Sequence, residues 1–425
     1  MAALLIIVFL LFLFLGVPIG ISLGASGVIS IVNSGISLDL LPMQVYSNIS
    51  KFVLLAIPFF IFAGNVMEKA GISTRLIHFA NTCVGHRRGG LATVAVIVCC
   101  FFAAVSGSGP ATVAALGVIL IPAMFEKGYG KAMPSALLAT AGSIGIIIPP
   151  SIPFVVYGSI SGASIGKLFM AGIIPGILMG VMLALASKLV IRGDNSIILM
   201  PKATGKERWK AFIDAFWGLL MPVIILGGIY GGIFTPTEAA AVAAVYGLLV
   251  GLFIYRTIKL KDLLQILIDS AKTTASVMIV IACAALFAWY MQISGISQSI
   301  SNMLYTSTHT KFLFLLTINF ILLIAGCLLD TTSAMYILVP IILPVARMFN
   351  CDDIALGVLV TMNLAIGLAT PPVGCTLFVA CGVSGIKLSE ISKAVIPFII
   401  ASLIALLLVT YFPQLYMWLP KLMGY

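Results

Sequence analysis

Two Pro-Pro pairs, each embedded in a hydrophobic segment, constrain this chain more than any other feature. Gly145-Ile146-Ile147-Ile148-Pro149-Pro150 is echoed 222 positions later by Gly367-Leu368-Ala369-Thr370-Pro371-Pro372. Proline has no backbone N–H and its ring clashes with the preceding turn, so a helix must break at each pair. In lipid a break is costly, because the freed carbonyls have no water to bond. Two breaks at matching places predict two discontinuous helices around a central site, the pattern of a secondary transporter.

The surroundings of both pairs are those of a polytopic membrane protein. Of 425 residues, 61% are hydrophobic and only 8% charged, against about 25% charged in soluble domains. The net charge of +10 does not indicate nucleic-acid binding, since the basic residues sit in short loops where the positive-inside rule places them. The eight cysteines form no CxxC or Cys/His cluster and read as small buried hydrophobes. The apolar N-terminus lacks a basic n-region and a small-residue cleavage site, so a cleaved signal peptide is not expected.

The duplication extends beyond the prolines. Pro122 pairs with Pro344 and Pro175 with Pro397 at the same offset of 222, and Met67–Ser73 pairs with Met291–Ser297 at 224. The chain therefore divides into a first repeat over 1–190, a cytoplasmic linker over 191–213 and a second repeat over 214–425. Apolar runs place spans near Ala2–Leu15, Pro18–Val32, Phe52–Met67, Pro134–Tyr157 and Leu168–Val190 in the first repeat. In the second they lie near Phe216–Ile233, Pro236–Tyr255, Thr274–Met291, Ile354–Cys381 and Ala394–Met417. Thr235-Pro236-Thr237-Glu238 has the form of a capping box with proline at the first helical position.

Two apolar stretches do not read as crossings. Gly89–Met124 is interrupted by Ser106-Gly107-Ser108-Gly109-Pro110 and flanked by basic residues on both sides. Each arm is shorter than the ~20 residues a crossing needs, which predicts a re-entrant helical hairpin with a polar tip at the midplane. Phe312–Ala346 repeats the design, with Leu329-Asp330-Thr331-Thr332-Ser333 at its tip. Five crossings and one hairpin per repeat make the second repeat inverted. Placing both termini outside leaves 18 of the 23 Lys and Arg residues inside, as the positive-inside rule requires. The first hairpin then opens inward and the second outward. The expected fold is an all-α polytopic membrane protein of two inverted repeats, an elevator-type ion-transporter fold.

The tips carry the candidate chemistry. Ser106, Ser108 and Thr112 are expected to face the first break at Gly142, Gly145, Pro149 and Pro150. Thr331, Thr332 and Ser333 are expected opposite Asn363, Gly367, Thr370, Pro371 and Pro372. Hydroxyls and freed carbonyls without formal charge suit a hard monovalent cation at a discontinuous helix. The alternative is that these small residues only let helices approach closely. Asp330 is a carboxylate deep in an apolar stretch, which points to a functional role; the alternative is a cap on the second hairpin arm. Helix N-termini after both tips favour an anionic substrate. Ser106–Thr112 lacks the Lys-Ser/Thr of a P-loop, and neither GxSxG nor HExxH occurs, so no enzyme is expected.

Ser-Gly-Ser-Gly-Pro-Ala-Thr at 106–112, Ile148-Pro149-Pro150-Ser151, Phe234-Thr235-Pro236-Thr237-Glu238-Ala239-Ala240 and Ala369-Thr370-Pro371-Pro372-Val373-Gly374 together resemble the large membrane subunit of TRAP (tripartite ATP-independent periplasmic) transporters. The resemblance covers essentially the whole chain. It implies a multi-pass protein of the bacterial inner membrane that imports an organic acid, of the C4-dicarboxylate or sialic acid class, on a sodium gradient by an elevator motion. Sodium would be the coupling ion, with no other cofactor. The implied partners are a small four-helix membrane subunit, a periplasmic substrate-binding protein and membrane lipid. A stand-alone ion-coupled anion transporter of related fold, needing no binding protein, is the alternative.

Overall fold

The computed structural model describes residues 2–192 and 196–422, and the described residues are mostly helical, with no strand among them. The first half holds α1 (Ala2–Phe14), α2 (Ile19–Asn33), α3 (Leu40–Ile49), α4 (Ala56–Lys69), α5 (Ile72–Val84), α6 (Gly90–Ser106), α7 (Gly109–Glu126), α8 (Ala132–Ser143), α9 (Ile152–Ser161) and α10 (Ile165–Val190). The second holds α11 (Gly205–Tyr230), α12 (Pro236–Leu249), α13 (Leu260–Ile293), α14 (Ile296–Thr308), α15 (Lys311–Leu328), α16 (Thr331–Met348), α17 (Asp353–Leu368), α18 (Cys375–Ser384), α19 (Leu388–Ala394), α20 (Ile396–Tyr411) and α21 (Gln414–Leu422). By length and composition alone eight helices could cross a membrane, or ten if the bent pairs α18–α19 and α20–α21 each count as one span. The eight include the hairpin arms α7, α15 and α16, which are longer than the sequence reading expects and are set apart from crossings by their tight polar turns.

The inverted repeats are visible as matched series, α5–α9 against α14–α18. Both series open on a left-handed glycine, Gly71 at φ +72° and Gly295 at φ +72°, a conformation glycine adopts without the Cβ penalty. The hairpins α6–α7 and α15–α16 turn within two residues. Gly107, at φ +60°, ends α6, and Ser108 is extended before α7, whose first turn carries Pro110. The second hairpin turns through extended Leu329 and Asp330 instead. The predicted break within each Pro-Pro helix separates α8 from α9 and α17 from α18, and both Pro-Pro peptides are cis.

Packing ties the two repeats together crosswise. α9, beyond the first break, lies against α16 of the second hairpin, while α18, beyond the second break, lies against α7 of the first. Around this body α2 packs on α13, α4 on α12 and α5 on α11. The α2–α13 contact is close because α2 is glycine-rich: a Cβ on Gly24 would sit 2.8 Å from Cys283 Sγ. Thr235 caps α12, accepting from the Glu238 N–H while the Glu238 carboxylate accepts from the Thr235 N–H at 2.8 Å. That is the capping box the sequence predicts.

Some boundaries and contacts differ from expectation. The stretch read as a linker, 191–213, is helical from Gly205 onward, and its residues 193–195 lie outside the described residues. The span read as Thr274–Met291 belongs to a 34-residue helix, α13, about 51 Å long. Its first three turns are amphipathic and too charged to register as an apolar run. Helices α3, α5 and α14 were not expected at all. α5 and α14 bury only one stripe, such as Ile72, Leu76 and Ala80 in α5, and α3 buries no residue, so none of them forms a continuous apolar run. Among the cysteines, Cys99 and Cys327 are buried but Cys375 is exposed, so the reading of all eight as buried hydrophobes holds only in part.

Candidate ion and substrate site

The first tip folds back onto its own oxygens. Ser106 Oγ and Thr112 Oγ1 lie 2.8 Å apart, and the Thr112 hydroxyl donates to the Ser108 carbonyl at 2.8 Å. Thr112 is fully buried and Ser106 nearly so. The first break closes over this cluster. A Cβ on Gly145 would lie 2.8 Å from Thr112 Oγ1 and 2.9 Å from the Ser108 carbonyl oxygen, and one on Gly109 3.5 Å from the Gly142 carbonyl oxygen. Only glycine allows this approach, so Ser106, Ser108, Thr112, Gly142 and Gly145 share one small volume of neutral oxygens. The Pro150 carbonyl faces Gly107 at the turn.

Each break disposes of a freed carbonyl in the same way. Ser151 Oγ donates to the Ile146 carbonyl at 2.5 Å, and Thr376 Oγ1 donates to the Leu368 carbonyl at 2.7 Å. Ile146 and Leu368 stand 222 positions apart, so the repeat keeps the problem and its solution while changing the residue that supplies the hydroxyl. An orphaned buried carbonyl costs about 1–3 kcal/mol, which is why a hydroxyl is placed there. Thr376 was not singled out from the sequence. The signal available was a hydroxyl residue soon after each Pro-Pro pair.

The second tip is built differently. Asp330 caps α16: its carboxylate accepts from the Ser333 N–H at 3.0 Å and from the Ser333 hydroxyl at 2.5 Å. This is the capping geometry, and it engages each carboxylate oxygen once and uses the Ser333 hydroxyl proton, leaving lone pairs on all three oxygens. Gly326 and Gly367 bring α15 and α17 into backbone contact. There Cys327 Sγ donates to the Thr370 carbonyl at 3.3 Å and the Pro371 carbonyl at 3.1 Å, and the Gly374 N–H donates to the Cys327 carbonyl. Cys327 is a second residue that sequence reading missed, because it looks like any apolar side chain in α15. Thr331 is buried and Thr332 half-buried at the start of α16.

Asn363 does not join the second tip. Its amide donates to Asn319 Oδ1 at 2.8 Å and to the Leu359 carbonyl, and Asn319 in turn donates to Thr410 Oγ1. This buried polar chain runs from α17 through α15 to α20. The Asn363 side-chain oxygen has no partner.

The two breaks differ in burial. Pro149, Pro150 and Ser151 are buried, whereas Pro372, Val373 and Cys375 are exposed. Ser108 and Asp330 are half-buried, and a Cβ on Gly109 would lie 3.5 Å from Thr376 Cγ2. The first tip and the second break thus adjoin, with an accessible side toward Pro372.

Two re-entrant hairpins, two crossed broken helices and a cluster of uncharged oxygens define a multi-pass membrane transporter built of inverted repeats. The same overall fold is found in the YdaH transporter of Alcanivorax borkumensis, with a TM-score of 0.63 over 90% of each chain at 12% identity. More specifically, the chain belongs to the family of the DctM component of tripartite ATP-independent periplasmic transporters, whose family model matches residues 6–415; it is a transporter subunit and not an enzyme. It is similar to the C4-dicarboxylate TRAP transporter large permease protein DctM of Pseudomonas aeruginosa, 44% identical over 95% of this chain and 94% of the relative. It is also similar to the sialic acid TRAP transporter large permease protein SiaM of Vibrio cholerae, 36% identical over 97% of each. The isethionate TRAP transporter permease protein DctMQ of Oleidesulfovibrio alaskensis is 44% identical over 96% of this chain, which spans 64% of that longer relative.

Proposed function

We propose that this chain is the large membrane subunit of a sodium-coupled importer of a small organic acid in the bacterial inner membrane. In this reading a periplasmic binding protein delivers the acid and a small four-helix membrane subunit completes the transporter. The chain divides into repeats 1–190 and 214–425 joined across 191–213, and the hairpins and broken helices move as one body against the remaining helices. Sodium sits at the first tip among Ser106, Ser108, Thr112, Gly142 and Gly145. A second ion sits at the other break near Thr331, Thr332, Ser333, Gly367 and Thr370. Asp330 orders the second tip, and the acid is held on the accessible side bounded by Pro371 and Pro372, across from Pro149 and Pro150; Asn363 supports this body from behind.

The observation that carries the reading is the first tip. Two hydroxyls and two backbone carbonyls converge under glycines with no carboxylate among them. Such a set stabilises a monovalent cation by dipoles alone, so that the ion is released when the surrounding helices shift. Helix N-termini beside it favour the acid's carboxylate. The organic acids in the names of the relatives support the substrate class.

The test is uptake into proteoliposomes containing this chain, its small subunit and its binding protein, with labelled succinate, sialic acid and isethionate. Uptake is expected only under an inward sodium gradient, and the S106A/T112A double variant should raise the sodium concentration for half-maximal uptake at least tenfold. Equal uptake on potassium would overturn sodium coupling. Uptake without any binding protein would favour the stand-alone alternative.

A further inference from the structure

A second polar cavity, of about 230 Å³, lies away from the tips. Its walls come from both bodies of the molecule. α3 contributes Gln44 and Asn48, Lys51 follows directly, α13 contributes Trp289 and Gln292, and α16 of the second hairpin contributes Tyr336. The count of basic residues places all these segments on the outer side.

We propose that this cavity is an outer staging site that holds the carboxylate or sulfonate of a small organic anion before it reaches the tips; this deepens, and rests on, the reading of the chain as an organic-acid importer.

Three observations support it. First, the lining has one cation, several N–H and O–H donors and no acidic side chain, a set that repels cations and suits an oxyanion. Second, Tyr336 lines the cavity while only 3% exposed, with its hydroxyl beside Ser159. A phenolic O–H at the wall of a polar cavity can donate to an oxyanion. Tyr336 also stands five residues into α16 from Thr331, roughly 7.5 Å along the helix, which puts it between the outer face and the second tip.

Third, Lys51 is prepared for the role. Its ammonium donates to the Ser159 carbonyl at 2.9 Å, near the C-terminus of α9, where the helix dipole favours a cation. That bond uses one of three N–H groups and leaves two for a ligand. Burial pulls the ammonium below the ordinary lysine range, a cost that an anionic partner offsets. A neighbouring, mostly apolar cavity of about 570 Å³ also includes Lys51, with Ser159, Ser164, Thr235 and Thr237, so the lysine stands between two spaces on the same face.

The experiment uses the complete transporter and two readouts. In proteoliposomes with binding protein, K51Q and Y336F should each raise the succinate-loaded binding-protein concentration for half-maximal uptake about five- to tenfold or more, the effect of losing a hydrogen bond to a charged group, with kcat within twofold. K51R should restore most of the loss. Independently, a chain whose only tryptophan is Trp289 (W209F/W217F/W418F) should change fluorescence on titration with succinate or isethionate, and K51Q should abolish the change. If wild type transports while K51Q and Y336F keep wild-type half-saturation, or if Trp289 does not respond, the staging site is wrong and the import reading stands. If wild type transports no organic acid, the import reading fails, whatever Trp289 reports. Loss of kcat alone in K51Q would mean a structural role and would also overturn the proposal.

Discussion

Replacing Gly367 by alanine should disable the second break in a way that a matched substitution does not. A Cβ at Gly367 would lie 2.5 Å from the Gly326 carbonyl carbon, 2.6 Å from its Cα and 2.9 Å from the Cys327 nitrogen. All three are backbone atoms, so no side-chain rotation relieves the clash. Ordinary contact begins at 3.4 Å, so α15 and α17 must separate by about 1 Å. Overpacking of this kind costs about 1–3 kcal/mol. Alanine is also the better helix former, by up to about 1 kcal/mol, and the comparison should remove that term. Gly382, in α18, provides the control, because a Cβ there meets nothing within 4 Å. Both substitutions share the propensity gain, so the gap between G367A and G382A isolates the clash at about 1–3 kcal/mol. Thermal unfolding of the purified chain in detergent should place G382A at or above wild type and G367A below it. The same 1 Å displacement would stretch the bonds from Cys327 to the Thr370 and Pro371 carbonyls. On the proposal that a second ion sits at this break, sodium should stabilise G367A less than it stabilises wild type. If G367A and G382A melted together and gained equally from sodium, close α15–α17 contact would not be what builds this break.

Three further outcomes follow from the same geometry. S151A should destabilise by about 1–3 kcal/mol, because the Ile146 carbonyl loses its donor; T376V should act in the same direction at Leu368, and melts of both variants test whether the repeats solve the break alike. N319A should cost about 1–3 kcal/mol by removing the acceptor of one Asn363 N–H, the other still bonding the Leu359 carbonyl, and N319A/N363A should cost less than the two singles combined, read from a double-mutant cycle. His86 is held below the usual imidazole value of 6.5 by burial and by Arg208, Arg87 and Lys202. A pKa depressed on folding means the unfolded chain binds the proton more readily, so stability present above pH 6.5 is lost as pH falls below it. H86Q should flatten that acid-side slope in melts run from pH 7 down to 5.

The parts of the fold that could be read in advance were those with local causes. The breaks follow from proline chemistry at positions 149–150 and 371–372, the hairpins from polar turns that interrupt apolar stretches at 106–110 and 329–333, and the α12 start from Thr235 and Glu238. Helices α5 and α14, with a single buried stripe, and α3, with no buried residue, do not register as spans. For Asp330 the sequence left two roles open. Its bonds to Ser333 show the cap, a distinction that depends on where one side chain turns.

Composition, periodicity and the duplicated prolines determined by themselves that this chain is a polytopic protein of two inverted repeats with polar hairpin tips. Each of those conclusions concerns a short segment and its own solvent. Tertiary structure alone decided which carbonyl each hydroxyl satisfies, that Asn363 turns to Asn319 and not to the second tip, that Cys327 closes the second break, and that Gln44, Lys51, Gln292 and Tyr336 share a cavity. The hydroxyl–carbonyl bonds are local but depend on how the chain turns at each break, and the other pairings join residues far apart in the chain that only helix packing brings together.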